Sequence, residues 1–340
     1  MRKLFLVAAL APSILAQSSF TAPKIYRDSF APGANFLPSA RTKSFMQTWY
    51  HGQNLPVGTV VSQMGWRYDS GAASTGFTHT IEVVLDNTPM NASGFSNVFA
   101  NNLSSAPTTF LPLQPVNWPA PVSGNLDPAM WIPGAAPFLF VGPHLIVQVD
   151  VQTEAAPRTL SGLNTDAINL TATSPYLAAT GIAGCASSTL SVVPSVSGGI
   201  VNLDFRLSGG PANSQAVYFI GGENHTLFGA ALLPFDLTFL GMTNCYLGVD
   251  PLLSLTLPTD GQGNALLQAS LPNISGRPQT VFVQAAHSGS TPLGLVMTNS
   301  VGASVGDFGL MNYAYNWATF GPTAEFGPYT TSRGAVILMR

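Results

Sequence analysis

Alternation of apolar and polar residues along short segments is the feature that most limits how this chain can fold. Residues 144–151 read HLIVQVDV and residues 201–207 read VNLDFRL, with an apolar side chain at every second position. Because side chains of a strand point alternately to its two faces, this spacing predicts strands with one face on a core and the other in water. Similar runs occur at residues 59–68, 79–86, 215–220, 252–257, 265–271 and 280–285.

Turn-forming residues separate these runs. The intervening segments include NLPVG, DNTPMN, SGGPANS, PTDGQGN and PNISGRP, and Gly, Pro, Asn and Asp favour tight turns. Helical periodicity is nearly absent. Many short strands at regular spacing are typical of sandwiches. The sequence therefore predicts an all-β protein with two antiparallel β-sandwich domains of the jelly-roll or immunoglobulin-like type.

The length and the first residues predict the domain organisation. A chain of 340 residues favours two domains. Residues 1–16, MRKLFLVAALAPSILA, have the positive start, apolar centre and small final residue of a secretory signal peptide. We place an N-terminal sandwich at 18–153, a linker at 154–181, and a C-terminal sandwich at 182–306. The expected location is secreted, at the cell surface or in the periplasm.

The remaining segment, 307–340, is a tail of different composition. It contains Phe308, Tyr313, Tyr315, Trp317, Phe320, Phe326 and Tyr329. In a strand, residues 313, 315 and 317 share one face. So aromatic a segment is expected to be buried. It either packs as an extra strand on this chain's own sandwiches or completes the sheet edge of a neighbouring subunit, and the oligomeric state stays open.

Scarce charge excludes several classes of partner. Only 8% of residues are charged, against about 25% in typical soluble domains, and the net charge is −3. No basic run is present to follow phosphates, so we expect neither nucleic acid nor anionic membranes as partners. The apolar content of 46% is high enough to offset the entropy lost on folding. After residue 16 no apolar run reaches bilayer length, so no transmembrane segment is expected.

The two cysteines, Cys185 and Cys245, are expected to be structural. An even count in an exported chain favours a disulfide bridge. Two separate buried thiols are the alternative. A nucleophilic cysteine is disfavoured because no Lys, Arg or His stands beside either thiol in the sequence.

The sequence contains neither a complete hydrolase motif nor a metal-binding spacing of histidines. The pattern G-x-S-x-G occurs at residues 302–306, but a nucleophile elbow needs a following helix and a downstream His, and the last histidine is His287. The five histidines show no metal-binding spacing. They are His51, His79, His144, His225 and His287. The sequence thus assigns no catalytic residue, no metal site and no cofactor.

The turn at residues 260–264, DGQGN, places oxygens at alternate positions as a calcium loop does. It lacks the later bidentate acid of an EF-type loop, and a glycine-rich hairpin turn explains it without a metal.

Aromatic and acidic residues leave two alternatives open. Four of the five tryptophans precede residue 150 and could stack on sugars, although burial in a core is the expected role. They are Trp49, Trp66, Trp118 and Trp131. Glycosidases need two carboxylates at a set separation. Most acids here lie at turns or on outward strand positions such as Glu82, Asp150 and Asp204, and the sequence favours no pair.

The second half of the chain resembles a known module. The matching residues are Gly184, Cys185, Leu233, Pro234, Leu237, Gly241, Cys245 and Gln284. They resemble the pattern of a C-terminal module in exported two-domain β-proteins of planctomycete-type bacteria, over about residues 182–306. The resemblance implies an exported β-sandwich with a Cys185–Cys245 bridge. No activity is established for that module, so it implies no catalytic residue.

The functional expectation follows from these observations. The leading hypothesis is an exported, non-enzymatic protein of the cell surface or envelope, with a structural, adhesive or assembly role. Its partners would be other envelope proteins or surface glycans. The first alternative is a carbohydrate-binding, lectin-like module in the N-terminal domain, and the second is a polysaccharide hydrolase.

Overall fold

Strands form nearly all of the regular structure. The computed structural model describes residues 19–31, 33–36, 43–69, 76–120, 122, 126–128, 130–152, 164–169, 176–228, 231–274, 279–306, 311–317, 323–324, 327, 333–335 and 337–340. The expected signal peptide, 1–16, lies outside these residues. Within them there is no α-helix, and thus no helix long and apolar enough to span a bilayer. The all-β class is confirmed.

The strands, in chain order, are β1 (Phe20–Ala22), β2 (Gly33–Phe36), β3 (Lys43–His51), β4 (Val60–Trp66), β5 (Phe77–Thr88), β6 (Thr108–Trp118), β7 (Ile132–Leu139), β8 (His144–Gln152), β9 (Asn164–Asn169), β10 (Tyr176–Thr180), β11 (Thr189–Ser197), β12 (Ile200–Ser208), β13 (Gln215–Gly221), β14 (Thr226–Leu227), β15 (Ala231–Leu232), β16 (Phe235–Asp236), β17 (Tyr246–Leu247), β18 (Leu253–Pro258), β19 (Ala265–Pro272), β20 (Gln279–Ser288), β21 (Leu295–Val305), β22 (Met311–Trp317), β23 (Arg333–Ala335) and β24 (Ile337–Met339). Single turns of 3-10 helix lie at Lys24–Tyr26, Gly52–Asn54, Ala92–Gly94, Phe99–Asn102 and Thr238–Leu240.

Strands from both ends of the chain pair with one another. Three antiparallel sheets have the strand orders β1-β24-β4-β7, β2-β9-β23 and β22-β3-β8-β5-β6. We call their residues, 19–169 and 311–340, the terminal region. The tail therefore packs on its own chain: β22 extends the sheet beside β3, and β24 lies between β1 and β4. Side chains of Tyr313, Tyr315 and Trp317 lie outside the described ones, as do residues 308, 320, 326 and 329.

Among the described residues, the strands between β9 and β22 pair only with one another. They form the sheets β10-β21-β20-β13-β18 and β11-β12-β19, with two small hairpins, β14-β15 and β16-β17. We call residues 176–306 the inserted region, because the chain leaves the terminal region to form it and then returns. The segment expected as a linker, 154–181, contributes β9 to the first region and β10 to the second.

Each region encloses a core between two facing sheets. In the terminal region the largest cluster joins β4, β7 and β24 to β5, β6 and β8. In the inserted region it joins β11, β12 and β19 to β13, β20 and β21. The alternation predicted for β12 is confirmed, since Val201, Leu203, Phe205 and Leu207 are all buried.

The second face of β8 differs from the expected water-facing surface. Ile146 and His144 on that face are buried, and Gln148 is partly buried. The segment between β5 and β6 crosses this face, packing Phe95 and Phe99 against Trp49 and Ile146. Alternation along one strand cannot show whether a later loop covers its polar face.

Arg67 also departs from the expected pattern. It lies between Trp66 and Tyr68 in the run 59–68, whose alternation predicts that it faces water, yet it is fully buried. Its guanidinium donates to the carbonyl oxygens of Tyr26, at 2.6 Å, and Arg27, at 3.4 Å. These bonds offset the burial of the charge and anchor the Lys24–Tyr26 turn, which faces the inserted region.

Candidate functional site

A group of polar side chains, most of them buried, lies where the Lys24–Tyr26 turn meets the inserted region. Lys24 is buried, and its Nζ donates to the carbonyl oxygen of Gly222 at 2.7 Å and lies 3.4 Å from Oε2 of Glu223. The neighbouring Asn224 donates through Nδ2 to the carbonyl oxygen of Lys24 at 3.1 Å. We call Lys24, Glu223, Asn224 and His225 the junction cluster. It links the two regions through hydrogen bonds and an ion pair.

Glu223 and His225 fix each other's charge state. The Nε2 of His225 accepts the backbone N–H of Thr21 at 3.1 Å, so Nδ1 carries the proton that faces Oε1 of Glu223 at 3.1 Å. Burial acts to raise the pKa of Glu223, but the bond from His225 and the charge of Lys24 hold it well below its usual range. Burial lowers the pKa of His225 despite the carboxylate. Both imidazole nitrogens of His225 thus form hydrogen bonds within the chain.

A cavity of about 360 Å³ adjoins the junction cluster. Its wall includes Thr21, Arg27, Asp28 and His225 together with apolar side chains of both regions. The guanidinium of Arg27 holds the carboxylate of Asp28 through two bonds, of 2.9 and 2.7 Å, and donates to the carbonyl oxygen of Leu233. The charges of Arg27 and Asp28 thus neutralise each other within the protein. The rest of the cavity wall combines polar and apolar side chains.

A pair of carboxyl groups lies on the outer face of the terminal region. Glu82 of β5 stands directly opposite Asp150 of β8. Asp150 is only 9% exposed; Oδ2 accepts from Gln152 at 2.8 Å, whereas Oδ1 is buried without a hydrogen bond. Burial, and then the charge of Asp150, raise the pKa of Glu82; burial also raises the pKa of Asp150. Such a pair can retain a proton or attract a cation.

The inserted region holds a serine–histidine pair. Oγ of Ser188 lies 2.6 Å from Nε2 of His287, and Nδ1 of His287 lies 2.8 Å from the carbonyl oxygen of Ser288. A carbonyl only accepts, so Nδ1 donates to it, and Nε2 accepts from the hydroxyl whenever it carries no proton. This is the hydrogen-bond order of a nucleophile and its base. Both side chains are buried. Their hydrogen bond joins the segment after Cys185 to β20.

Two more histidines meet across β3 and β8. His51 and His144 are cross-strand partners with ring centroids 4.8 Å apart. Each Nδ1 accepts a backbone N–H, from Gln53 and Gly52 respectively. Burial, then the charges of His144 and Lys24, lower the pKa of His51 to about 4, and burial lowers that of His144. Among the described residues no group of three or more His, Cys, Asp or Glu could hold a metal.

The motifs considered in the sequence have structural roles. Ser304 of the G-x-S-x-G pattern lies inside β21, buried, with Oγ 2.9 Å from Oγ1 of Thr280. Asp260 closes the turn between β18 and β19: Oδ1 accepts the N–H groups of Gln262 and Asn264, both at 2.8 Å. Strands β18 and β19 belong to different sheets, so this turn links the two sheets and is not the expected hairpin. Its backbone N–H groups nevertheless account for Oδ1 of Asp260.

The tryptophans are mostly core residues. Trp49, Trp66 and Trp118 are buried, and Trp49 donates through Nε1 to the carbonyl oxygen of Met90. Trp131 is partly exposed and packs against the guanidinium of Arg340 at 4.3 Å. The side chains that motivated a lectin-like interpretation thus contribute mainly to packing.

The cysteines form the expected bridge. Cys185 and Cys245 are joined by a disulfide across a sequence separation of 60. Cys245 is buried with Met242 and Met297, and the backbone N–H of Met297 donates to Sγ of Cys185 at 3.3 Å. The bridge ties the segment before β11 to the loop before β17.

Sequence reasoning missed the groups that depend on long-range pairing. Ser188 and His287 are far apart in the chain, and no local pattern connects them. Glu82 and Asp150 occupy outward strand positions that only the register of β5 and β8 makes adjacent. The Glu223-x-His225 spacing was a usable signal, since alternate residues of an extended segment share a side.

No protein-family model matches the chain, and no curated protein matches it. The functional assignment therefore depends on the geometry described above.

Proposed function

We propose that this chain is an exported, non-enzymatic protein of the cell surface or envelope, acting as a structural, adhesive or assembly component. Its partners would be other envelope proteins or surface glycans. The likeness of residues 182–306 to the module of exported planctomycete-type proteins is part of this proposal. The disulfide supports export, because such bridges persist in oxidising compartments.

The surface of the inserted region carries the proposal. Twenty large apolar side chains are exposed among the described residues, and fourteen of them belong to this region. Its residues 176–306 include only seven charged ones, namely Asp204, Arg206, Glu223, Asp236, Asp250, Asp260 and Arg277. Exposed apolar surface that few charges interrupt is typical of sites of protein contact.

The internal use of polar groups also supports a contact role. The junction cluster, the Ser188–His287 pair and the Asp260 turn all direct their polar atoms to partners within the chain. A catalytic site needs a nucleophile or base beside space for a substrate. The cavity beside the junction cluster offers space, but both ring nitrogens of His225 on its wall bond within the chain. The Ser188–His287 pair does not line that cavity.

Co-sedimentation with isolated envelopes of the producing organism tests the proposal. The mature, disulfide-bonded chain should pellet with the envelopes. Replacing the exposed Phe228, Phe239 and Leu252 by Ser should lower the bound fraction about fivefold, a typical effect of removing contact residues. The matched control replaces Val57, Val60 and Val122 of the terminal region by Ser, and should bind as the wild type does. A wild-type chain that stays in the supernatant contradicts the proposal.

A hydrolase is the second candidate, and one observation favours it. Glycosidases act through two carboxyl groups on either side of the scissile bond, and Glu82 and Asp150 are opposed on adjacent strands. Release of reducing ends from a polysaccharide panel, lost in Glu82→Gln and retained in Asp204→Asn, would support this candidate. Saturable binding without turnover would instead favour the lectin-like alternative.

A further inference from the structure

Strand β18 is the open edge of the five-stranded sheet in the inserted region. It pairs with β13 on one side, and no described strand pairs with it on the other. Its residues Leu253 to Thr256 are all exposed, with Leu253 at 52% and Leu255 at 39%. Along such an edge, every second residue points its N–H and C=O outward, ready to pair with another strand.

Several other edges of the described strands differ from β18. Strand β19, an edge of the three-stranded sheet, alternates buried and exposed side chains and buries Ala265 and Leu267, whereas other edges contain proline or are covered. Proline cannot donate to a ladder and therefore blocks strand addition. Strand β6 contains Pro112 and Pro115, β7 contains Pro133 and Pro137, and β11 contains Pro194. At the opposite edge of the sheet that contains β18, β10 is covered differently: its Leu177 is buried in the core cluster of the terminal region. In β18 the only proline, Pro258, is the last residue.

The composition of β18 fits a second copy of the same strand. Residues 251–259, PLLSLTLPT, carry no charge. When identical strands pair antiparallel about a two-fold axis, residues near the axis meet their own symmetry mates, so any charge there would face a like charge. Leucines at 253, 255 and 257 would then line up across the axis. A partner with a charged edge would find no complementary charge here.

We propose that β18 pairs antiparallel with β18 of a second copy of this chain, joining the two five-stranded sheets edge to edge. The pairing would satisfy the outward backbone groups and cover exposed leucines, including Leu252 at 73% exposure. This inference deepens the proposed function, because it names the partner of an assembly component. The strand β19, joined to β18 by the Asp260 turn, is an edge strand of the three-stranded sheet and bears the exposed Leu266.

Single-cysteine cross-linking tests the pairing. The mature chain with its disulfide intact has no free cysteine among the described residues, so each variant adds one reactive thiol. Under mild oxidation, at least one of Ser254→Cys, Leu255→Cys and Thr256→Cys should form a covalent dimer, according to which residue lies nearest the axis. Ser191→Cys, exposed on the proline-containing edge strand β11, is the matched control and should stay monomeric.

A charge variant measures the same contact without a cross-link. Ser254→Lys combined with Thr256→Lys brings four ammonium groups together across the axis and should raise the dimer dissociation constant at least about tenfold. Ser191→Lys combined with Val193→Lys on β11 should leave it unchanged. Equal thermal unfolding midpoints in both variants would show that the fold is retained.

The possible outcomes are distinct. A monomer by light scattering, with no cross-link at any β18 position, overturns the inference. So does a β18 thiol that is shielded from reagents in the monomer, because another part of the chain would then cover the edge. Loss of envelope binding by an intact dimer contradicts the proposed function alone, and envelope binding by a monomer contradicts this inference alone.

Discussion

The terminal and inserted regions stabilise their sandwiches with different side chains. The terminal core includes Trp66, Trp118, Phe110, Phe138 and several buried tyrosines. In the inserted core the fully buried aromatic residues are Phe205 and Tyr218, and the others are aliphatic. Aromatic side chains bury the largest areas. The region with smaller side chains has the disulfide, which indicates that covalent closure supplements a lighter core.

Removing the bridge should have the largest effect. Cys185→Ala combined with Cys245→Ala should lower the free energy of unfolding of the inserted region by roughly 4 kcal/mol, as expected for a closed loop of this length. All five tryptophans lie outside residues 176–306, so tryptophan emission reports on the terminal region and hydrogen exchange of β12 and β20 on the inserted one. In the variant, amide hydrogen exchange of β12 and β20 should accelerate at temperatures well below the unfolding transition that tryptophan emission reports.

Equal destabilisation by both measurements would contradict that comparison. It would mean that the two regions unfold as one unit. Wild-type protein treated with a reductant serves as the control for the substitutions and should reproduce their effect.

Disrupting the junction cluster should lower the free energy of unfolding by less than removing the disulfide does. Glu223→Gln keeps the shape but leaves Lys24 buried without its carboxylate, which should cost about 2 kcal/mol. Because the pKa of Glu223 is lowered in the folded chain, the unfolded chain binds more protons. This stabilisation is present at neutral pH and is lost as the pH falls below the ordinary carboxyl range.

Thermal unfolding between neutral pH and pH about 3 measures this prediction. The wild type should lose more stability on acidification than Glu223→Gln does. Asp236→Asn is the control: its carboxylate is exposed and bonded to Thr238 of its own region. A pH dependence unchanged by Glu223→Gln would show that the ion pair does not couple the regions.

The serine–histidine pair should contribute less. Ser188→Ala leaves Nε2 of the buried His287 without its donor, and the expected loss is about 1 kcal/mol. Hydrogen exchange of β20 should report it, whereas tryptophan emission should not change. Ser187→Ala, at the exposed neighbour, should have no effect. A serine-directed fluorophosphonate that labels Ser188 would contradict the structural role.

The carboxyl pair should give the smallest effect, with the opposite sign. The folded pKa of Glu82 is raised, so the folded chain binds protons more tightly, and stability falls as the pH rises through that pKa. Glu82→Gln should therefore stabilise the terminal region at neutral pH by about 0.5 kcal/mol. The gain should vanish near pH 4, where Glu82 is protonated.

Asp204→Asn is the matched comparison in the inserted region. Hydrogen bonds from Arg206 and Gln268 lower the pKa of Asp204, so this change should slightly destabilise at neutral pH. If both variants were more stable than the wild type, the groups beside each carboxylate would not determine the sign of the change in the free energy of unfolding.

Local pattern was sufficient for the strands and for much of the core. The alternation in residues 201–207 and 265–271 placed the inward side chains of β12 and β19 correctly, because the period of two follows from strand geometry. The same reasoning was wrong for His144 and Arg67, both buried. Their burial depends on contacts with distant segments, which a period cannot reveal.

The candidate sites were less predictable than the strands. The bridge was anticipated from the cysteine count and the resemblance, whereas the junction cluster was not, because Lys24 and Glu223 meet only when the first turn docks on the inserted region. The opposed carboxyls depend on strand register in the same way. Register is set by the packing of whole sheets and by turn geometry.

The sequence by itself determined that the chain forms short strands, that few charges interrupt its surface, and that its cysteines are structural. The tertiary structure alone decided that the last strands return to the first sheet, that acids and histidines meet in pairs, and that β18 remains an open edge. Side-chain periodicity is a property of a few neighbouring residues. Strand order depends on the pairing of residues hundreds of positions apart, as β1 and β24 illustrate.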